Sequence, residues 1–287
     1  GELKKLLATR VDTLQQPEKI YNLNVDGFHT YFVGIQELLV HNDCSEAMAK
    51  AFDDAVANAS ARGIQGEELV QIGKTAAEAI ETILKAGVSL DDLARWGVKS
   101  DAGKAKLAAF IKQGLDPKGD MYFYEWFNRS TFGFDELDNL GITTKSELNN
   151  FLFDAECWGD ETLEHILKGE VKYGDFKGFH YDGYPNSIGK VKSVVAGTKG
   201  KGPYTAIVES TNGVSKLENG GMSTFFPDEW TPKQVFDAVT QAYANRQYDP
   251  VTKYWIGMAN NGMKIQMIVK SSGGYVDNVI VTAFPKL

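Results

Sequence analysis

Two histidines, His165 and His180, are the residues of this chain best suited to acid–base chemistry. They are two of only four histidines in 287 residues, and both lie in segment 164–184, EHILKGEVKYGDFKGFHYDGY. An imidazole has an unperturbed pKa of about 6.5, so one ring can accept a proton at neutral pH while a second ring donates one. The pair therefore predicts a general base and a general acid. The alternative for His165 is a packed histidine on a helix face.

The elements around these histidines predict an α+β domain with an antiparallel sheet. His165 lies in an apolar, helix-like run, whereas His180 follows Gly178 in a loop rich in glycine and tyrosine. Downstream, strand-like runs flank a helix that Thr231 should cap and Pro232 should open. The predicted strands are Tyr204–Ser210, 222–227, Tyr254–Met258, 263–270 and 276–285, and the predicted buried helix stripe is Val235, Ala238, Val239 and Ala242.

Composition narrows the classes of protein to consider. The chain is 43% hydrophobic and 24% charged, as in globular proteins. It contains no apolar run of about 18 residues, so no membrane-spanning segment is expected. The net charge of −8 argues against a general nucleic-acid binder. Residues 151–287 hold 14 Lys+Arg and 15 Asp+Glu and can still form a local basic groove.

Residues 1–42 are interpreted as a separate short β module. Segment 20–42 alternates apolar and polar residues, which predicts short strands. Its end, with His41 and Asn42, resembles the C-terminal end of Hint (hedgehog/intein-type) domains, where the Asn attacks its own carbonyl with help from the His. The nucleophile half of that site is absent and Asp43 follows the Asn, so the resemblance implies an inactive remnant. A plain β-hairpin is the alternative.

Residues 43–150 are interpreted as an α-helical connector. Apolar residues recur there at three- and four-residue spacing, and glycines mark the helix ends. The segment contains no histidine and no catalytic constellation, so a spacer bundle is the interpretation, with a docking or translocation segment as the alternative. The predicted helices are 45–86 with a break at Gly63, 89–96, Asp101–Lys112 and short helices around 134–152.

Five segments of the remaining chain form an ordered set of motifs. They are EHILKGE with His165, KGFH with Gly178 and His180, YTAIVESTNGVSK ending in Lys216, STFFPDEW with Ser223, and VTAFPKL with Thr282 and Phe284. In this order they resemble the EndoU endoribonuclease family, which includes bacterial contact-dependent toxins. Each motif is weak alone, but five in family order are specific. The resemblance implies an EndoU-like antiparallel nuclease domain over residues 151–287.

The resemblance implies RNA cleavage in which the 2′-hydroxyl attacks the phosphate. His180 would be the base, His165 the acid, and Lys216 the cation that stabilises the transition state. Lys199 and Lys201 are nearby alternatives to Lys216.

Four further residues receive roles from the same resemblance. The backbone N–H near Gly178 would donate to a phosphate oxygen, since glycine permits close approach. Thr282 would orient Lys216 or the ribose. Ser223 would bond a pyrimidine edge, and Phe284 would stack on a base or ribose. Relatives commonly have Tyr at the last position, so a weaker preference for uridine is expected.

The implied reaction cleaves after uridine and leaves a 2′,3′-cyclic phosphate and a 5′-hydroxyl. It requires no metal cofactor, although manganese stimulates some relatives. The implied partners are RNA, as tRNA or other single-stranded loops, and a cognate immunity protein. The implied location is secretion followed by action in the cytoplasm of a target cell. An RNA-binding module with impaired catalysis on the same fold is the alternative.

Overall fold

A computed structural model describes residues 30–33, 38–41, 46–270 and 278–287. Its helices are α1 Glu46–Ala61, α2 Gly66–Lys85, α3 Leu90–Arg95, α4 Asp101–Lys112, α5 Met121–Arg129, α6 Lys145–Asp154, α7 Thr162–Leu167 and α8 Pro232–Ala244. Its strands are β1 Thr30–Val33, β2 Leu38–His41, β3 Glu170–Lys172, β4 Asp175–Lys177, β5 Gly189–Ala196, β6 Tyr204–Ser210, β7 Met222–Phe225, β8 Gln247–Asp249, β9 Tyr254–Met258, β10 Lys264–Lys270 and β11 Val279–Pro285.

The chain divides into two compact units, Gly1–Gly87 with Ser100–Lys112 and Val88–Lys99 with Gln113–Leu287. In the first unit, α1, α2 and α4 pack through apolar side chains at helical spacing. Gly73 permits the close approach of α1 and α2, because a Cβ there would overlap the Phe52 ring. In the described part of the chain, no helix combines the length and apolarity needed to cross a membrane.

Strands β1 and β2 fall within the predicted Hint remnant. They pair antiparallel, with Thr30 opposite His41, as a short β segment would. Asn42, whose side chain would attack its own carbonyl in an active Hint domain, lies outside the described residues.

Two antiparallel sheets organise the second unit and confirm the predicted α+β class. One has the strand order β5-β6-β7 and the other β11-β10-β9-β8. Each sheet is a simple meander, and α8 lies between them along the chain. The predicted strands Tyr204–Ser210 and Tyr254–Met258 are found as β6 and β9.

Helix α8 begins as its sequence predicts. The Thr231 hydroxyl accepts the backbone N–H of Gln234, whose side chain accepts the Thr231 N–H in return, and Pro232 occupies the first turn. This reciprocal cap satisfies two helix donors that would otherwise lack partners. The predicted stripe of Val235, Ala238, Val239 and Ala242 is buried.

Helices α5 and α6 belong to the second unit, although α5 and the first part of α6 fall within residues 43–150, the predicted connector. Phe151 of α6 packs against Phe236 with ring centroids 5.0 Å apart, and Trp158 stacks on the same ring at 4.9 Å. Arg129, at the end of α5, donates to the Asp160 carboxylate at 2.7 Å. Aromatic packing and this ion pair attach the helices to the sheet region that follows.

Candidate active site

Helix α7 positions His165 in its last turn. At its start, the Thr162 hydroxyl donates to the Ile280 carbonyl of β11 at 2.6 Å, which fixes the helix to the four-stranded sheet. The His165 ring lines a cleft, because the apolar side chains around it, Leu163, Ile166 and Leu167, are buried.

Main-chain hydrogen bonds join the two histidine segments. The N–H of Phe179 donates to the His165 carbonyl, and the N–H of His180 donates to the Ile166 carbonyl, both at 2.8 Å. Gly178 makes this possible, since a Cβ would overlap the His165 carbonyl oxygen and its φ of 69° is in the left-handed region. The backbone therefore sets the distance between the two imidazoles, whose ring centroids are 6.0 Å apart.

His180 is held as a neutral imidazole with a free acceptor. Its Nδ1 lies 2.9 Å from the Thr224 carbonyl oxygen. A carbonyl only accepts, so Nδ1 carries the proton and Nε2 keeps its lone pair. Burial lowers the pKa of His180 well below 6.5, and the positive charges of Lys216 and His165 lower it further. The ring is thus neutral at pH 7, and the lone pair of Nε2 is available to accept a proton.

His165 has the opposite electrostatic environment. Its Nδ1–H donates to the Glu170 carboxylate at 2.9 Å, and its Nε2 lies 3.1 Å from the Thr282 hydroxyl. The hydrogen bond from His165 is the main reason that the pKa of Glu170 falls to about 2, and Lys172 adds to it. An ionised Glu170 accepts the Nδ1–H of His165 and fixes the orientation of the ring, with Nε2 towards Thr282.

Lys216 is a buried cation facing the cleft. Its Nζ donates to the Ser223 hydroxyl at 2.8 Å and to the Gly178 carbonyl at 3.3 Å. Burial lowers the pKa of Lys216 to about 8, and the opposing effects of Glu218 and Asp175 are smaller. The side chain is therefore mostly charged at neutral pH, in a setting of low polarity where its charge acts strongly.

The alternatives to Lys216 lie elsewhere. Lys199 makes an ion pair with Asp182 and lies 3.7 Å from Asp228. Lys201 is exposed, and neither lysine is among the residues that line the cleft.

The remaining predicted residues divide between the cleft and the core. Thr282 and Phe284 of β11 line the cleft, and Phe284 stacks on His180 with ring centroids 5.2 Å apart. Tyr254 meets the edge of Phe284 at 5.5 Å. Ser223 is buried behind Lys216 and donates to the Gly178 carbonyl at 3.0 Å. Its hydroxyl therefore contacts Lys216 rather than the open cleft.

The cleft has a volume of about 970 Å³ and contains both histidines and Lys216. Other charged side chains of both signs surround them, namely Arg129, Lys172, Lys177 and Lys270 with Asp160, Glu161, Glu170 and Glu218. Across residues 46–270 and 278–287, no three His, Cys, Asp or Glu side chains are grouped so that they could hold a metal ion.

Glu170 is the site residue that the sequence interpretation missed. It ends the motif EHILKGE five positions after His165, but the sequence analysis assigns it no role. The strands β3 and β4 form a hairpin there, with Glu170 opposite Lys177, and this pairing places the carboxylate beside the imidazole. The signal in the sequence was a carboxylate that follows a candidate acid by five positions.

Comparisons with known proteins found a similar protein and a matching family model. A Bacillus cereus protein named "Toxin" is 36% identical over 144 residues, which cover 48% of this chain and 25% of that protein. The chain thus spans a quarter of the length of that relative. No solved structure matched the chain. The family model described as bacterial EndoU nuclease matches residues 159–287. This match covers the region that holds the five ordered motifs, from His165 to Phe284.

Proposed function

We propose that this domain is an endoribonuclease that cleaves RNA 3′ of uridine through attack of the 2′-hydroxyl. The observation that carries the proposal is the contrast between two imidazoles 6.0 Å apart. His180 is held neutral with Nε2 free, and His165 is paired with the Glu170 carboxylate. Groups arranged to differ in this way divide into an acid and a base.

The first proton transfer uses His180. Nε2 takes the proton of the 2′-hydroxyl as that oxygen forms a bond to phosphorus. The resulting imidazolium keeps its Nδ1–H on the Thr224 carbonyl. Because the site is buried and already holds Lys216 and His165, the new charge is unfavourable there. His180 therefore releases the proton readily once the products leave.

Lys216 stabilises the negative charge that develops on the phosphate oxygens. One well-placed donor of this kind is worth about 10²–10³ in rate. We propose that Ser223 holds the ammonium group in place, since its hydroxyl is engaged with Lys216 and the Gly178 carbonyl. A direct contact between Ser223 and a pyrimidine would require that hydroxyl to exchange partners.

His165 completes the reaction as the acid. Its protonated Nε2 gives a proton to the 5′-oxygen as the phosphorus–oxygen bond breaks, while Nδ1–H stays on Glu170. In the structure, the Thr282 hydroxyl contacts Nε2 of His165 and orients the ring. The leaving oxygen takes the place of that hydroxyl during the reaction. The products are a 2′,3′-cyclic phosphate and a 5′-hydroxyl, and the atoms balance without water.

Phe284 is the proposed platform for the uridine base or its ribose. Its ring already lies against His180, so a nucleotide stacked on it would place the 2′-hydroxyl near His180, the proposed general base. The phenylalanine lacks a phenol, so we propose a preference for uridine that is weaker than with tyrosine. No step is assigned to manganese, because the side chains account for both proton transfers and the charge.

The biological role that we propose is that of a secreted toxin acting on RNA in the cytoplasm of a target cell. The EndoU match and the name of the Bacillus cereus relative support this role. A nuclease of this kind endangers its own producer, so we propose a cognate immunity protein that covers the cleft. If the protein encoded next to this chain does not bind or inhibit it, the proposal of an immunity partner is contradicted.

The test is incubation of the purified protein with total RNA, with and without EDTA, followed by analysis of the fragment ends. The proposal expects cyclic-phosphate ends after uridine under both conditions. His180→Ala should fold and lose cleavage, because no nearby group replaces the base. If that variant still cleaves, the assigned mechanism is wrong. If the folded wild-type protein binds RNA without cleaving it, the domain is a binding module with impaired catalysis.

A further inference from the structure

Tyr173 is presented to solvent at the rim of the cleft. It occupies the turn between β3 and β4 with Gly174, and its relative exposure is 104%. It is also one of the residues that line the cleft holding His165, His180 and Lys216. A fully exposed aromatic ring gains nothing from burial, so packing does not explain it.

The backbone at this turn disfavours tyrosine. Tyr173 has φ of 53° and Gly174 has φ of 78°, so both residues of the two-residue turn are left-handed. Turns of this kind favour Asn, Asp or Gly, and a bulky side chain at positive φ is an outlier. Such outliers concentrate where a side chain has a function. Neither the backbone conformation nor burial therefore explains why a tyrosine is found at this turn.

The hairpin connects this ring to the leaving-group side of the site. Glu170, at the start of β3, bonds His165, the proposed acid. The turn follows three residues of strand, which span about 10 Å at about 3.3 Å per residue. The 5′-oxygen that His165 protonates belongs to the nucleotide 3′ of the scissile bond. A base on that side of the cut can therefore reach the tip of the hairpin.

The lysines beside Tyr173 are already paired with carboxylates. Lys172 contacts Glu161 at 2.5 Å and Glu170 at 2.7 Å. Lys177 contacts Glu218 at 3.1 Å. These carboxylates partly cancel the attraction of the two lysines for phosphate. Charge alone therefore contributes little to RNA binding here. An aromatic face supplies a contact that needs no net charge and that every base can use.

We infer that Tyr173 is a stacking platform for an unpaired base 3′ of the scissile phosphate. The inference rests on the proposed function for the assignment of the 3′ side. It adds a second aromatic subsite to the one at Phe284, on the opposite side of the scissile bond. The domain then holds both flanking bases and stretches the RNA across His165 and His180.

The test compares three variants for binding to an RNA oligonucleotide whose single target uridine is 2′-deoxy, so that it cannot be cleaved by 2′-hydroxyl attack. Tyr173→Asn removes the ring and should weaken binding by about 5- to 150-fold, the range for loss of one base–aromatic stack. Tyr173→Phe keeps the ring and should retain most of the affinity. Tyr248→Asn is the matched control, because Tyr248 is exposed but does not line the cleft.

Misfolding cannot imitate this result, because asparagine suits the left-handed turn better than tyrosine. Thermal unfolding of Tyr173→Asn should therefore occur at the same temperature as wild type or higher. Oligonucleotides with one abasic position on the 3′ side then locate the stacked base. One such position should weaken binding to the wild-type protein and leave binding to Tyr173→Asn unchanged.

Two failures remain distinguishable. If wild-type protein cleaves RNA but Tyr173→Asn binds every oligonucleotide as wild type does, the stacking inference is overturned and the proposed function stands. If wild type binds through the Tyr173 ring but cleaves nothing, the platform stands and the nuclease proposal fails. Sensitivity to abasic positions only on the 5′ side would overturn the assigned polarity.

Discussion

Lys216 is a buried charge whose replacement should stabilise the fold while destroying activity. Folding lowers its pKa from 10.5 to about 8, so the folded protein binds this proton less tightly than the unfolded chain does. At pH 7 that difference opposes folding by roughly 3 kcal/mol, at 1.36 kcal/mol per pKa unit. Lys216→Met removes the charge and keeps a chain of similar shape.

Two hydrogen bonds reduce the expected gain. The Nζ donations to Ser223 and to the Gly178 carbonyl are lost in the variant, and each contributes about 1 kcal/mol. The net expectation at pH 7 is a free energy of unfolding about 1–2 kcal/mol higher than that of wild type. Cleavage should fall by about 10²–10³ because the transition-state charge loses its partner.

The sign of the pH dependence separates this reasoning from a simple packing effect. The penalty is fully present below the folded pKa and disappears as pH rises toward the unfolded value of 10.5. It should shrink from roughly 3 kcal/mol at pH 7 to roughly 1 kcal/mol at pH 10. The stability advantage of Lys216→Met should therefore decline by about 2 kcal/mol over that range, whatever the hydrogen bonds contribute.

Urea unfolding followed by tryptophan fluorescence measures this difference. All five tryptophans of the chain lie in the second compact unit, so the signal reports on the unit that contains Lys216. Lys177→Met is the matched control, because Lys177 carries an ion pair to Glu218 that raises its pKa. A constant difference between wild type and Lys216→Met from pH 7 to pH 10 would refute the buried-charge argument.

Four further substitutions test the rest of the site. Gly178→Ala should destabilise the second unit by more than about 2 kcal/mol, since the Cβ meets the His165 carbonyl and φ is positive. Gly174→Ala has only the positive φ, and urea unfolding should show a loss of about 1 kcal/mol. Glu170→Gln should slow cleavage by about 10- to 100-fold, measured as kcat, because a neutral amide no longer provides the negative charge beside the acid. An unchanged kcat would exclude that role. Ser223→Ala should slow cleavage after every base equally, and a changed ratio of uridine to cytidine products would instead show base recognition.

Local signals in the sequence predicted much of the second unit. The capping residues and apolar period of α8 act within a few positions, so Thr231 and Pro232 were sufficient to place its start. Strand β6 alternates between buried and partly exposed residues along its length. Such patterns are visible because the side chains respond to one neighbouring layer, and they identified the class of fold.

Contacts made across the chain were harder to predict. Strands β3 and β4 have three residues each and carry charges, which gives them no readable alternation. Strand β5 is exposed along most of its length, because it forms the edge of its sheet. The buried position of Ser223 could have been predicted from the sequence. Ser223 lies two residues before the buried Phe225, so both side chains are on the same face of β7.

The main-chain bonds between Phe179, His180 and the end of α7 separate the reaction from the recognition of substrate. Backbone atoms hold the two imidazoles apart by a set distance, so few side chains are needed to preserve it. The surfaces that we propose meet RNA, the β3–β4 turn and Phe284, can then change residue by residue while the two imidazoles keep their distance. A domain built in this way can evolve a new target, or evade an inhibitor, through single substitutions without passing through an inactive intermediate.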